Sequence, residues 1–147
     1  MSKAYASSVI PAPAAAVWSV IRDFNALPAW HPAIATSEIE EGRPSDQVGA
    51  VRSFELTDGA HIRERLLELS DVAMTCVYNF ETTVFDVEDY LATLRCTPIT
   101  DGDACFIEWW ATFDCAPDAV GEFVDTFANG VFQPGFDALK AHFANRG

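Results

Sequence analysis

The chain reads as an α+β fold: a curved antiparallel sheet of seven strands wrapped around one long C-terminal helix, with two short helices after the first strand. Three observations lead there. Apolar residues recur at helical spacing in two stretches, 14–24 and 117–143. Between them, residues 34–114 alternate apolar and polar side chains in short runs. Tight turns separate those runs, and strands joined by tight turns are antiparallel neighbours.

Residues 4–10 form the first strand. Pro11 and Pro13 punctuate it, and Pro13 suits the first turn of a helix, where its missing N–H costs nothing. Val17, Trp18, Val20, Ile21 and Phe24 then share one helical face over 14–24. Two prolines between 25 and 32 confine the next helical turn to 27–30. Strands follow at 34–41, 50–56, 60–69, 73–81, 89–99 and 104–114. Their connections include Arg43-Pro44-Ser45-Asp46, Thr57-Asp58-Gly59, Ser70-Asp71-Val72 and Thr100-Asp101-Gly102-Asp103. Within 117–143, Val120, Phe123, Val124, Phe127, Val131, Leu139 and Phe143 make a broad apolar stripe. Pro134 conflicts with the carbonyl of Gly130, so this helix is either kinked there or divided in two. No repeat or linker breaks the order, and residues 1–147 read as one domain.

The 147 residues are half hydrophobic and 12% aromatic, which excludes global disorder and supports one sizeable core. Eleven Phe, four Trp and three Tyr either line a cavity or fill a dense interior. Twenty-two acids against nine bases give a net charge of −13, which repels phosphate backbones and argues against a nucleic-acid partner. No apolar run reaches secretory or bilayer-spanning length, so a cytoplasmic protein without membrane insertion is expected. Cys76, Cys96, Cys105 and Cys115 lack C-x-x-C spacing and sit in strand-like runs, as buried thiols or as a cross-strand disulfide. Metal-ligand spacings, phosphate loops, dinucleotide fingerprints and catalytic Ser or Cys signatures are missing, so neither metal nor cofactor is expected.

Alternation selects the inward polar residues. In the last strand Cys105, Ile107, Trp109, Ala111 and Phe113 share an apolar face, with Glu108 on the other. Tyr90 falls in with Ala92, Leu94 and Cys96 and points inward. Glu64 lies between Ile62 and Leu66, and Arg52 shares its face with Phe54 and Leu56. A hairpin about Asp58-Gly59 brings these two into neighbouring rows, and a buried Arg52–Glu64 pair follows. That pair either fixes strand register or forms the polar end of a ligand pocket. His31, in Trp30-His31-Pro32, sits where a pocket mouth is often built, as a general base or as a loop-fixing hydrogen-bonding group.

Pro13-Ala14-Ala15-Ala16-Val17-Trp18, Trp30-His31-Pro32, Gly49-Ala50-Val51-Arg52, Glu64-Arg65-Leu66, Tyr90 and Phe123-Val124-Asp125-Thr126 span nearly the whole chain. In order and spacing they resemble the START-like, birch-pollen-allergen-like (SRPBCC) superfamily of helix-grip domains. The nearest type is the polyketide cyclase/dehydrase group, which includes lachrymatory factor synthase and the abscisic acid receptors. The resemblance implies that Arg52, Glu64 and Tyr90 line a cavity and, in synthase-like members, move protons. The receptors' Ser-Gly-Leu-Pro-Ala gate is replaced here by Asp58-Gly59-Ala60, and their His-Arg-Leu latch is missing between Thr82 and Asp89. Abscisic acid sensing is therefore not expected.

Three functions remain open on the sequence. The first is binding of a small hydrophobic molecule such as a lipid or polyketide, in a cavity walled by Trp30, His31, Tyr78, Trp109, Phe113, Phe127 and Val131, with Glu108 and Asn79 outside. The second is a cofactor-free cyclase, dehydratase or isomerase using Glu64 as acid/base with Arg52 and Tyr90. The third is an interaction module whose outward-facing Phe106 and Trp110 mark a partner surface or a homodimer surface.

Overall fold

The computed structural model describes residues 1–144. Strand β1 (Ser2–Ile10) is followed by helices α1 (Ala14–Ile21) and α2 (Leu27–Trp30). Then come β2 (Ile34–Ile39), β3 (Val51–Leu56), β4 (His61–Ser70), β5 (Thr75–Thr82), β6 (Glu88–Ile99) and β7 (Ala104–Asp114). Helices α3 (Val120–Phe127) and α4 (Gln133–Ala144) complete the chain. The seven strands form one antiparallel sheet in the order β1-β7-β6-β5-β4-β3-β2. The predicted architecture is present, with small shifts at element ends. The first helix stops at Ile21 rather than 24, and a 3-10 turn over Glu40–Gly42 ends the second strand early. No helix among the described residues is long and apolar enough to cross a membrane.

Bulges curl the sheet. Leu67 is an extra residue in β4 opposite β5, and Glu81 is an extra residue in β5. Between β3 and β4 the register runs without a shift, from Val51↔Arg65 to Glu55↔His61. Gly49 anchors its start: at φ +97°, a conformation disfavoured for residues bearing a Cβ, it aims its N–H at the Leu66 carbonyl, 2.8 Å away. At the other end of the chain order, α1 is tied down by its own polar residues. The Trp18 indole N–H and the Arg22 guanidinium both donate to Asp71 in the β4–β5 turn, each at 2.8 Å.

The C-terminal helix neither simply kinks nor divides at Pro134. Helices α3 and α4 are joined through a wide π-turn over Ala128–Phe132, in which the Gln133 N–H reaches back five residues to the Ala128 carbonyl. Pro134 has no N–H to give Gly130, and widening the turn removes the conflict of its ring with that carbonyl. The helix presses on the β1–β7 side of the sheet. There Phe113 packs against Phe127 (centroids 5.3 Å apart) and Trp109 stacks on Phe132 at 4.7 Å. All four cysteines are free, so the disulfide alternative does not hold.

Gly135 sets the closeness of this packing. A Cβ there would lie 3.0 Å from Trp109 and 3.1 Å from both His31 and Trp30. Gly135→Ala is expected to destabilise by about 1–3 kcal/mol through overpacking. Gly121→Ala, where a Cβ meets nothing within 4 Å, should instead stabilise by up to about 1 kcal/mol. Urea unfolding of the two variants checks these opposite signs for one chemical change.

Candidate functional site

Beneath the helix, on the side of the sheet away from β1, lies a cavity of about 200 Å³. Strands β3 to β5 give it Phe54, Leu56, Ile62 and Phe80 beside Arg52, Glu64 and Tyr78. Tyr90, Trp109 and Phe127 close its back, and Val131 and Gly130 of the π-turn edge its mouth with Phe85 of the β5–β6 loop. The surface is mainly apolar; besides His31 and Thr126, its polar side chains gather at one corner.

That corner is built by the unshifted β3–β4 register, which sets Arg52 opposite Glu64 on the inner face. Arg52 Nε and Nη2 both reach Glu64 Oε1, at 2.9 and 2.7 Å, and each side chain is 6% exposed. Arg52 Nη1 donates to the Phe24 carbonyl at 3.0 Å, and the guanidinium lies 3.9 Å from the Phe24 ring centroid and 4.8 Å from that of Tyr78. Glu64 Oε2 has no hydrogen-bond partner among the described residues. Burial pushes the Glu64 carboxyl above its ordinary value, and Arg52 opposes this only in part. The Tyr78 hydroxyl accepts the Trp109 indole N–H at 3.0 Å. Burial, reinforced by nearby Glu64, holds both Tyr78 and Tyr90 well above the usual phenol value, so both remain O–H donors. Tyr90 lies face to face with Phe80, centroids 3.8 Å apart and planes 16° from parallel.

His31 joins the two sides of the mouth. Its Nε2–H donates to the Val131 carbonyl at 2.7 Å, and Nδ1 accepts the Ala33 N–H at 3.2 Å. Both ring nitrogens are thereby engaged with backbone, which fixes the neutral tautomer and matches the loop-fixing alternative. Burial lowers its pKa and the Arg52 charge acts in the same direction, against the Val131 carbonyl.

Of the ten residues proposed from sequence, Arg52, Glu64, Tyr90, His31, Tyr78, Trp109, Phe127 and Val131 border this cavity. Trp30 and Phe113 do not. Trp30 packs behind His31 against Trp109, centroids 5.9 Å apart, and Phe113 is sealed under Phe123 and Phe127 where the helix meets the sheet. Asn79 and Glu108 both lie outside the cavity and are half-buried, Asn79 with its Oδ1 shielded and unpartnered among the described residues. Sequence reasoning missed Phe80, which alternates with Tyr78, and Phe85, which sits in an aperiodic loop. Among the described residues no group of three or more His, Cys, Asp or Glu is placed to hold a metal ion.

The family model described as polyketide cyclase / dehydrase and lipid transport matches residues 1–144. Solved structures of similar shape include XoxI from Bacillus cereus, 30% identical with a TM-score of 0.88 over 99% of this chain and 97% of that one. A protein from Thermobifida fusca is 31% identical, with a TM-score of 0.89 over 99% of this chain and 95% of that one. BexL, a di-domain ARO/CYC from the BE-7585A biosynthetic pathway, shares the fold at 15% identity. Its TM-score is 0.80 over 98% of this chain and 47% of its own. Curated proteins gave no match.

Two predictions follow from the corner's electrostatics. Arg52→Ala should cost about 3–5 kcal/mol, because it leaves Glu64 buried without its counter-charge. The double variant Arg52→Ala/Glu64→Gln should lose less than the sum of the single variants, and additive losses would show that the pair is uncoupled. The pH dependence has two signs. Glu64 is raised on folding, so its contribution is full below about pH 4.3 and is lost as pH rises through the folded-state value. His31 is lowered, so its contribution is full above about pH 6.5 and is lost as pH falls. In urea midpoints measured across pH, Glu64→Gln should remove the first slope and His31→Gln the second.

Proposed function

The chain belongs to the polyketide cyclase/dehydrase and lipid transport family, and from that premise we propose that its cavity binds a small apolar molecule carrying one polar group. The observation that carries this reading is the contrast inside the cavity. Aromatic and aliphatic side chains form the wall, and polar side chains converge at the Arg52–Glu64 corner beside Tyr78 and Tyr90. Such a surface removes an apolar body from water while satisfying one hydrogen-bonding group and fixing its orientation. Trp109, Phe127 and Val131 supply contact area, and His31 keeps the mouth in shape by holding the π-turn.

A second reading, cofactor-free proton transfer, is favoured by one specific observation. Glu64 combines an unpartnered Oε2 with a pKa raised by burial. A carboxyl in that state can give a proton to a bound ligand and take one back, while Tyr90 donates a hydrogen bond to developing negative charge. Arg52 would then stabilise the carboxylate left behind.

Binding is tested by titrating the ¹⁵N-labelled protein with small apolar compounds and following amide shifts. Saturable shifts are expected at Phe80, Tyr90 and Phe127, and Val131→Trp, which fills the mouth, should weaken them at least about 10-fold. Saturable shifts confined to the outer sheet face, or none, would overturn the reading.

A further inference from the structure

We propose that the cavity selects an uncharged, single-ring hydroxyl compound of the phenol class, an inference that rests on the binding reading above. Size comes first. A dry cavity of about 150 Å³ accommodates benzene. At about 200 Å³, this one is nearest the size of a single six-membered ring with a few substituent atoms. The walls favour a flat ring over a chain. Tyr90 and Phe80 are parallel, and Phe127 stands edge-on to Tyr90 at 5.1 Å. Aromatic surfaces in that arrangement gain most from a further ring packed offset or edge-on.

The polar corner specifies the substituent. Glu64 Oε1 is taken twice by Arg52, which leaves Oε2 to meet the ligand. The two tyrosine hydroxyls carry two protons. The Tyr78 oxygen already accepts the Trp109 N–H, and neither tyrosine hydroxyl donates to a protein acceptor among the described residues. Tyr78, Tyr90 and Glu64 all line the cavity, so an O–H donor and a carboxyl oxygen are both available to one ligand. A single ligand hydroxyl answers both, because it donates and accepts at one atom, whereas a carbonyl or ether only accepts. Charged groups fit poorly. A carboxylate would meet Glu64 in a protein of net charge −13, and the Arg52 charge is already matched by Glu64. An ammonium would meet Arg52.

The test is a titration series with phenol, toluene, benzoate and 2-naphthol, read by calorimetry and amide shifts on the wild type, Glu64→Gln and Tyr90→Phe. Phenol should bind at least about 10-fold tighter than toluene, benzoate and 2-naphthol. Tyr90→Phe should narrow the phenol–toluene gap without changing toluene affinity, and it keeps the test intact if Glu64→Gln does not fold. Toluene, benzoate or 2-naphthol binding as tightly as phenol would overturn the phenol class while leaving the cavity as a binding site. If none of the four produces saturable shifts at Phe80, Tyr90 and Phe127, this inference and the binding reading fall together.

Discussion

Arg52 and Glu64 face each other on the concave side of the sheet with side chains only 6% exposed, and much of the surrounding structure exists to hold them there. Removing two charges from water costs several kcal/mol per ion, and their mutual attraction offsets this only with good geometry and further hydrogen bonds. The register between β3 and β4 supplies the geometry. The Phe24 carbonyl and the rings of Phe24 and Tyr78 supply the rest. A pair of apolar residues of similar volume would serve stability as well or better. What such a replacement would lose is the polar corner of the cavity, and this links the energetics of the pair to the function proposed.

The cavity exists because the long helix is held unevenly. Its second half is pulled close to the sheet at Gly135, where a side chain would collide with Trp109, His31 and Trp30. Its first half rests on Phe113 through Phe123 and Phe127. Between them the π-turn carries Gly130 and Val131 to the mouth, and His31 fastens it from the opposite side. A helix anchored at both ends cannot settle into the space over β3, β4 and β5, which stays open.

Alternation was a good guide to which residues face inward and a poor guide to what covers them. Arg52, Glu64, Tyr78 and Trp109 are where a period of two puts them, because the β3–β4, β5–β6 and β6–β7 pairings run unshifted through these rows, and Tyr90 keeps its inward side although the β6–β7 register shifts between Glu88 and Leu91. Phe113 shares that parity with Trp109 but lies four residues further on, under the helix, and no local pattern in β7 reveals where the helix will rest. Trp30 failed for a related reason, since a residue beside a pocket mouth can pack away from it. Phe85 carries no periodic signal, and Pro134 announces that the hydrogen-bond ladder breaks without saying that the break is absorbed by a wider turn. The α+β architecture was legible throughout because every strand but the first pairs with its neighbour in sequence.

That exception has a consequence for how the molecule is made. Strands β2 to β7 meander, so each can pair as soon as the next has been synthesised. β1 alone waits for β7, and the contact between Tyr5 and Glu108 spans 103 residues. During synthesis the first strand therefore leaves the ribosome unpaired and stays so until almost the whole sheet exists. Its inward residues Ala4 and Ile10, fully buried at the end, are exposed for all of that time. Closing so long a loop comes late on entropic grounds, and the seat of the C-terminal helix is completed only then. The β1–β7 seam beneath the C-terminal helix is thus the part of the sheet that depends on the most distant pairing in the chain.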